Sequence, residues 1–134
     1  FRSPTATYTK FQPAIETMLE GGNLETETYV LKLATAINTT AGSITETTNG
    51  GGYSTGGVSI TKATSSQSGG TYTLAMTQPT NPVWTGSSGG FTFQYVVLVG
   101  STTGPIAAWD YGSSQTVAAG ETVSVTITTI FTLS

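Results

Sequence analysis

The sequence predicts a mainly β fold, an antiparallel sandwich or barrel of about seven to eight strands with one short N-terminal helix. Thr is the commonest residue, with 29 of 134, and β-branched and aromatic side chains favour strands. Apolar residues recur in short runs with a period of two, and glycine-rich turns separate these runs. The 134 residues are predicted to form a single domain, 1–134, with a helical segment at about 8–20 and a β domain at about 24–134.

One segment has the periodicity of an amphipathic helix. Between Tyr8 and Glu20 the apolar residues are spaced as on one helix face, and they are Phe11, Ile15, Met18 and Leu19. Thr9 is the candidate N-cap, and Pro13 falls in or near the first turn, where its missing N–H is tolerated. Gly21-Gly22 ends the helix. A helix this short is unstable alone in water, so we expect it to lie against the sheet or against a partner.

Period-two runs divide the rest of the chain into strands. They cover residues 29–34, 43–47, 58–60, 72–76, 91–99, 106–111 and 123–133, the second being a weak strand or a loop. The run 91–99 is apolar on both faces toward its end, which predicts a central strand. Ile130 is out of phase in the last run, which indicates a bulge or a second contact surface. The predicted core comprises Leu31, Leu33, Phe93, Tyr95, Val97, Val125 and Ile127.

The charged residues are few and scattered. Four basic and seven acidic side chains give a formal net charge of −3, and no cluster of Lys or Arg is present, so nucleic acid is not an expected partner. No apolar run approaches the ~18 residues of a membrane span, so no membrane partner is predicted. The chain contains neither His nor Cys, and beyond Lys62 only Asp110 and Glu121 are charged. We therefore predict a non-enzymatic protein with no catalytic, cofactor-binding or metal-binding residues.

The glycine-rich segment Gly51–Gly57 shares only its glycine content with a phosphate-binding loop. Such a loop continues with Lys, then Ser or Thr, and then a helix. Here Val58-Ser59-Ile60 begins a strand instead. The segment is therefore predicted to be a tight turn that enters a strand, with Tyr53 packed beneath it.

Asn23, Glu25 and Glu27 are spaced two apart, as oxygen ligands of calcium can be. The segment lacks the acidic density and the glycine of a known calcium loop. Alternation in an extended segment places all three on one solvated face. The pattern therefore favours a polar edge of the first strand over a metal site.

Two features bear on sugar chemistry. Glycoside cleavage needs a carboxylate pair across a cleft, and Asp110 and Glu121 are the only such pair in the second half of the chain. Asp110 is predicted instead to cap the turn at Tyr111-Gly112. Aromatic residues can form a sugar-stacking platform, although they more often fill cores, and the candidates are Trp84, Trp109, Tyr53, Tyr72, Tyr95 and Tyr111.

Short motifs follow one another in a set order: Tyr8–Phe11 through Gly21-Gly22, Leu24–Ala34, Gly51–Val58, Val83-Trp84, Phe93–Leu98, Pro105–Gly112 and Val123–Leu133. In this order and spacing the chain resembles a family of small virion structural proteins of tailed bacteriophages, of the capsid decoration or tail-associated type. The resemblance implies a structural part of the particle and supplies no catalytic residues. The chain departs from the family pattern in its few acidic residues before Trp84 and in Val99-Gly100-Ser101.

Three candidate roles remain open. The first is a capsid decoration (cement) protein bound to the lattice of the major capsid protein, which suits a Thr-rich surface of low charge. The second is a structural subunit of the neck, tail or fibre base, and the third is a host-glycan-binding module. The expected partners are the major capsid protein or other virion structural proteins, together with further copies in a homo-oligomer such as a trimer. The expected location is the virion, at the capsid surface or, alternatively, the tail or neck.

Overall fold

The computed structural model describes residues 6–20, 27–60, 62–76, 82–125 and 129–133. In these ranges the fold is mainly β and every strand pairing is antiparallel, as the sequence predicts. The elements are β1 Thr7–Lys10, α1 Gln12–Leu19, β2 Tyr29–Asn38, β3 Ser43–Glu46, β4 Val58–Ile60, β5 Lys62–Ser68, β6 Thr71–Met76, β7 Val83–Thr85, β8 Phe91–Gly100, β9 Gly104–Val117, β10 Thr122–Ser124 and β11 Thr129–Leu133. These strands outnumber the seven to eight predicted, because β1, β5 and β7 match none of the predicted runs and the run 123–133 is divided between β10 and β11.

The largest sheet has six strands in the order β1-β9-β8-β2-β3, with β4 also paired to β2. β8 lies between β9 and β2, so the prediction of a central strand is confirmed. Val96, Val97 and Leu98 are all buried, which shows that both faces of β8 are covered there. A pair, β10-β7, and a three-stranded sheet, β11-β6-β5, complete the described strands.

Five of the seven predicted core residues are buried in one cluster. Leu31, Leu33, Phe93 and Val97 have no exposed surface, and Val125 is 8% exposed. Ile127 lies outside the described residues. The sequence pattern therefore identifies the centre of the core correctly.

Tyr95 is only half-buried at the margin of the core, so its predicted burial is wrong. The cause is an irregularity in the pairing of β8 with β9. Only Gln94 separates Phe93 from Tyr95, whereas four residues of β9, 111–114, separate their partners Gln115 and Asp110. The Gln94 Nε2 donates to the Tyr95 hydroxyl at 3.2 Å and to Asp110 Oδ1 at 3.0 Å, so these three side chains gather on one side. Beyond the irregularity the fully buried positions resume at Val96, and strict alternation from Phe93 no longer applies.

The helix is shorter than predicted. Residues 8–10 belong to β1, and Thr9 pairs with Ala108 of β9 rather than capping the helix. The helix spans Gln12–Leu19, with Pro13 in its first turn as expected. Alternation and helical spacing overlap in this segment, and pairing with β9 decides in favour of a strand.

Backbone carbonyls from two other elements hold the start of α1. No side chain of the described residues caps the helix, but the Phe11 N–H donates to the Ile106 carbonyl and the Gln12 N–H donates to the Thr39 carbonyl, both at 2.9 Å. Phe11 and Ala14 are completely buried, which confirms that the helix packs against the sheet. The N-terminus of α1 is thus fixed by tertiary contacts.

The predicted strand 123–133 is divided between two sheets. β10 pairs with β7, whereas β11 pairs with β6. The register of β11 shifts between Thr129 and Phe131, which confirms a bulge at the out-of-phase Ile130.

Candidate functional site

β2 and β8 form a fork. They pair from Tyr29 to Ala34 on β2, opposite Gly100 to Tyr95 on β8, and no described pairing joins the remainder of the two strands. A groove of about 380 Å³ lies in the fork. Its lining comprises Thr35, Thr47, Thr48, Asn49, Gly50, Gly51, Gly89, Gly90, Phe91, Thr92 and Thr116.

Thr47 holds the floor of the groove. It is 3% exposed, its N–H donates to the Leu33 carbonyl at 2.8 Å, and its hydroxyl donates to the Thr92 carbonyl at 3.0 Å. One residue therefore connects β2 to β8 beyond the point where their own pairing ends. Phe91 also forms the floor, whereas Thr35 and most other lining residues are exposed and form the rim.

Tyr53 fills a gap on the other edge of β2. Along this edge β4 covers Tyr29–Leu31, and β3 covers Ala34–Asn38. Between them, the Leu33 N–H donates to the Tyr53 hydroxyl at 3.2 Å, while the Leu33 carbonyl accepts from Thr47. A side chain thus completes the hydrogen bonding of a buried strand at a point that neither β3 nor β4 covers.

The Tyr53 hydroxyl is part of a small polar network. It donates to Glu46 Oε1 at 2.6 Å, and the same oxygen accepts from the Gly56 N–H at 2.7 Å. Lys32 forms an ion pair with Glu46 at 3.8 Å. Burial and the bond to Glu46 both raise the pKa of Tyr53, so the phenol stays protonated at neutral pH.

Three loops, 50–57, 86–90 and 118–121, meet at a glycine junction, in which Gly51 belongs to the first loop and Gly86 and Gly90 belong to the second. The Ser87 N–H donates to the Gly51 carbonyl at 2.8 Å. A Cβ on Gly51 would lie 1.7 Å from the Gly90 carbonyl oxygen, and one on Gly90 would lie 2.3 Å from the Val117 carbonyl oxygen. Side chains are excluded at these positions, because the backbones themselves are in contact.

This geometry confirms the prediction for Gly51–Gly57. The segment is a turn that leads into β4, and Tyr53 is 2% exposed beneath it. The close approach of Gly51 to Gly90 leaves its backbone engaged with another loop. The glycines therefore serve backbone packing.

Glu27 corrects the prediction of a solvated polar edge. It is 8% exposed, and its carboxylate accepts from the Thr102 N–H at 2.8 Å and from the Thr103 N–H and hydroxyl, each at 2.5 Å. The carboxylate thus organises the turn between β8 and β9. Asn23 and Glu25 lie outside the described residues.

Asp110 and Glu121 each bind their own turn. Asp110 Oδ1 accepts from the Gly112 N–H at 2.7 Å, which confirms the predicted cap, and it also binds Gln94. Glu121 Oε1 accepts from the Ala118 N–H at 2.7 Å. Neither carboxylate lines the groove in the fork.

The aromatic candidates for a sugar platform are distributed over several environments. Trp84 is 4% exposed and Tyr53 is buried, so neither offers a ring face to solvent. Trp109 is half-buried, with its ring centroid 5.5 Å from that of the exposed Tyr8. Tyr111 packs edge-on against Phe93. The remaining candidates, Tyr72 and Tyr95, are half-buried against the core cluster.

Sequence reasoning missed Thr47 and Glu46, the two residues that organise the fork and its surroundings. Both lie at the end of a short, weakly patterned strand. The alternation of Thr45, Glu46 and Thr47 indicates a strand and carries no sign of the partners that the fold brings from β8 and from the Gly56 turn.

Within the described ranges, no group of three or more acidic, His or Cys side chains is placed to hold a metal ion. No described helix is long and apolar enough to cross a membrane. Comparison with family models, with curated proteins and with solved structures found no match to this chain.

Proposed function

We propose that this protein is a non-enzymatic structural subunit of a bacteriophage particle, bound as a decoration protein to the lattice of the major capsid protein. The observation that carries the proposal is that the described carboxylates of the β region are hydrogen-bonded within the protein itself. Hydrogen bonds from the protein's own turns and strands engage all four that are described, which are Glu27, Glu46, Asp110 and Glu121. Acid–base catalysis by a carboxylate needs that group directed at a substrate, and a structural role does not.

The composition supports binding through many weak contacts. Only 8% of the residues are charged, so electrostatic steering contributes little, and Thr-rich strands offer methyl and hydroxyl groups to a partner. The particle itself, and the capsid in particular, come from the resemblance to small phage virion proteins. A homo-oligomer such as a trimer is compatible with a shell lattice.

Two measurements test the proposal. Quantification against the major capsid protein in purified virions should give on the order of hundreds of copies, whereas a neck or tail subunit gives about a dozen. Capsids that lack the protein should bind the purified protein with little dependence on ionic strength. A low copy number would move the protein to the neck, tail or fibre base. Binding to host glycans without binding to capsids would instead make it a glycan-binding module.

A further inference from the structure

We propose that the groove in the fork between β2 and β8 binds a short, extended, uncharged polypeptide segment of a neighbouring virion protein. This inference rests on the proposed function and specifies how the partner is held. The volume, about 380 Å³, lies at the lower end of the ~300–1,000 Å³ typical of ligand sites. A groove of this size accommodates part of one strand and excludes a folded domain.

The direction of the Thr92 N–H supports an extended peptide as the ligand. Thr92 pairs with Thr116 of β9, yet its carbonyl accepts from the Thr47 hydroxyl on the side away from β9. In an antiparallel strand, the N–H and the carbonyl of one residue point to the same side. The Thr92 N–H is therefore directed into the fork, where an added strand presents its carbonyl.

The chemistry of the lining is the second argument. None of the described lining residues is charged; threonine hydroxyls, the Asn49 amide and glycine backbone surround the space. An anionic or cationic ligand would lose water without gaining a counter-charge. A neutral main chain is satisfied by such donors and acceptors, and threonine methyl groups pack against small side chains.

The lack of an open aromatic ring argues against a sugar. Among the described lining residues Phe91 is the one aromatic, and it is 6% exposed on the floor. The Asn49 Oδ1 already accepts from the Thr55 N–H at 3.0 Å. The groove is therefore poorly suited to a sugar, which is recognised by stacking on an exposed ring and by amides that bond through both of their polar atoms.

The glycine junction provides a preformed wall. Because the Gly51 and Gly90 backbones touch, the two loops that border the groove are held together before any ligand arrives. When a segment binds in the fork, the segment loses conformational freedom but the two loops do not. This lowers the entropic cost of binding and favours affinity.

The first test is capsid binding by a groove variant with a matched control. Thr116→Arg places a long charged side chain at the exposed rim, whereas Thr122→Arg adds the same charge at an exposed position on β10. We expect Thr116→Arg to weaken binding to capsids lacking the protein by about tenfold or more, and Thr122→Arg by less than about twofold. Equal binding by both variants and the wild type would overturn the groove and leave the capsid role intact.

The second test does not depend on capsids. The acetylated and amidated peptide Thr-Val-Thr-Val-Thr is titrated into the labelled protein and followed by NMR, with maltotriose as the competing probe. We expect amide shifts at Thr92, Thr116 and residues 47–51 with the peptide only, and their loss in Thr116→Arg. Shifts with maltotriose alone, or no shift with the peptide at millimolar concentration, would overturn the inference. If the wild type fails to bind capsids, the proposed function fails, and this titration still decides the role of the groove.

Discussion

Gly51 and Gly69 each begin a glycine-rich turn and both have a positive φ, +62° and +56°, yet their surroundings differ completely. A Cβ on Gly51 would meet the Gly90 backbone, whereas no atom of the described residues beyond its chain neighbours would lie within 4 Å of one on Gly69. The first glycine belongs to a packed junction of three loops, and the second only reverses the chain between β5 and β6. A glycine pair in a sequence thus indicates a turn, but it does not reveal whether another backbone requires the missing side chain.

The largest expected effect is that of Gly51→Ala. The added methyl group overlaps a backbone carbonyl that no rotamer change can move, and the positive φ adds strain. We expect the free energy of unfolding to fall by about 3 kcal/mol or more, measured by denaturant unfolding. A loss below about 1 kcal/mol would mean that the loops of the junction can move apart at little cost. Gly51 would then not differ from Gly69 in its need for a glycine.

Tyr53→Phe should have the next largest effect, because it removes the hydroxyl under the packed turn. The Leu33 N–H then stays buried without an acceptor, which costs about 1–3 kcal/mol. Tyr72→Phe is the matched control, since Tyr72 is half-buried and packs against the same core cluster. Comparable unfolding curves for the two variants would show that the Tyr53 hydroxyl does not support β2.

Gly69→Ala should have a smaller effect. Its expected cost is the left-handed backbone conformation, about 1–2 kcal/mol, because no neighbour in the described part of the chain obstructs a Cβ. Thermal unfolding of Gly69→Ala beside Gly69→Asn separates the two causes, since Asn tolerates this conformation better. If both variants lost as much stability as Gly51→Ala, the turn would not be open.

The ionisation of Tyr53 should have the smallest effect on stability, because it acts only at alkaline pH. Burial and the bond to Glu46 raise its pKa above the ordinary 10.0, so above pH 10 the unfolded chain releases this proton before the folded protein does. Stability is then fully present below pH 10 and declines as the pH rises further. Denaturant unfolding from pH 8 to 11 should show a steeper alkaline loss for the wild type than for Tyr53→Phe, and parallel curves would contradict it.

The sequence predicts the parts of the fold that one strand's own pattern determines. Alternation in Tyr29, Leu31 and Leu33 is sufficient to place them in the core, and the two apolar faces of β8 are sufficient to make it central. The phase of Tyr95 was not predictable, because the irregularity beside it depends on the pairing with β9. Propensity and period describe a segment, whereas register is a property of two segments.

The candidate site was less predictable for the same reason. The Asp110 cap involves a residue two positions away and could be expected from turn chemistry. Glu27 binds Thr103, which is 76 positions distant, and Thr47 binds Thr92, which is 45 positions distant. No local sequence pattern predicts such distant partners. The fork and its floor can therefore be recognised only once the sheet has been determined.

The pairing of β1 with β9 also bears on the order of folding. Thr7 and Asp110 are partners in the sheet and lie about a hundred positions apart in the chain. A ribosome adds about 5–20 residues per second, so β1 leaves it several seconds before β9 exists. During synthesis β1 is therefore unpaired while the middle of the chain folds. β1 is thus among the last of the described strands to be incorporated, and slow closure of this edge is expected to limit the rate of folding.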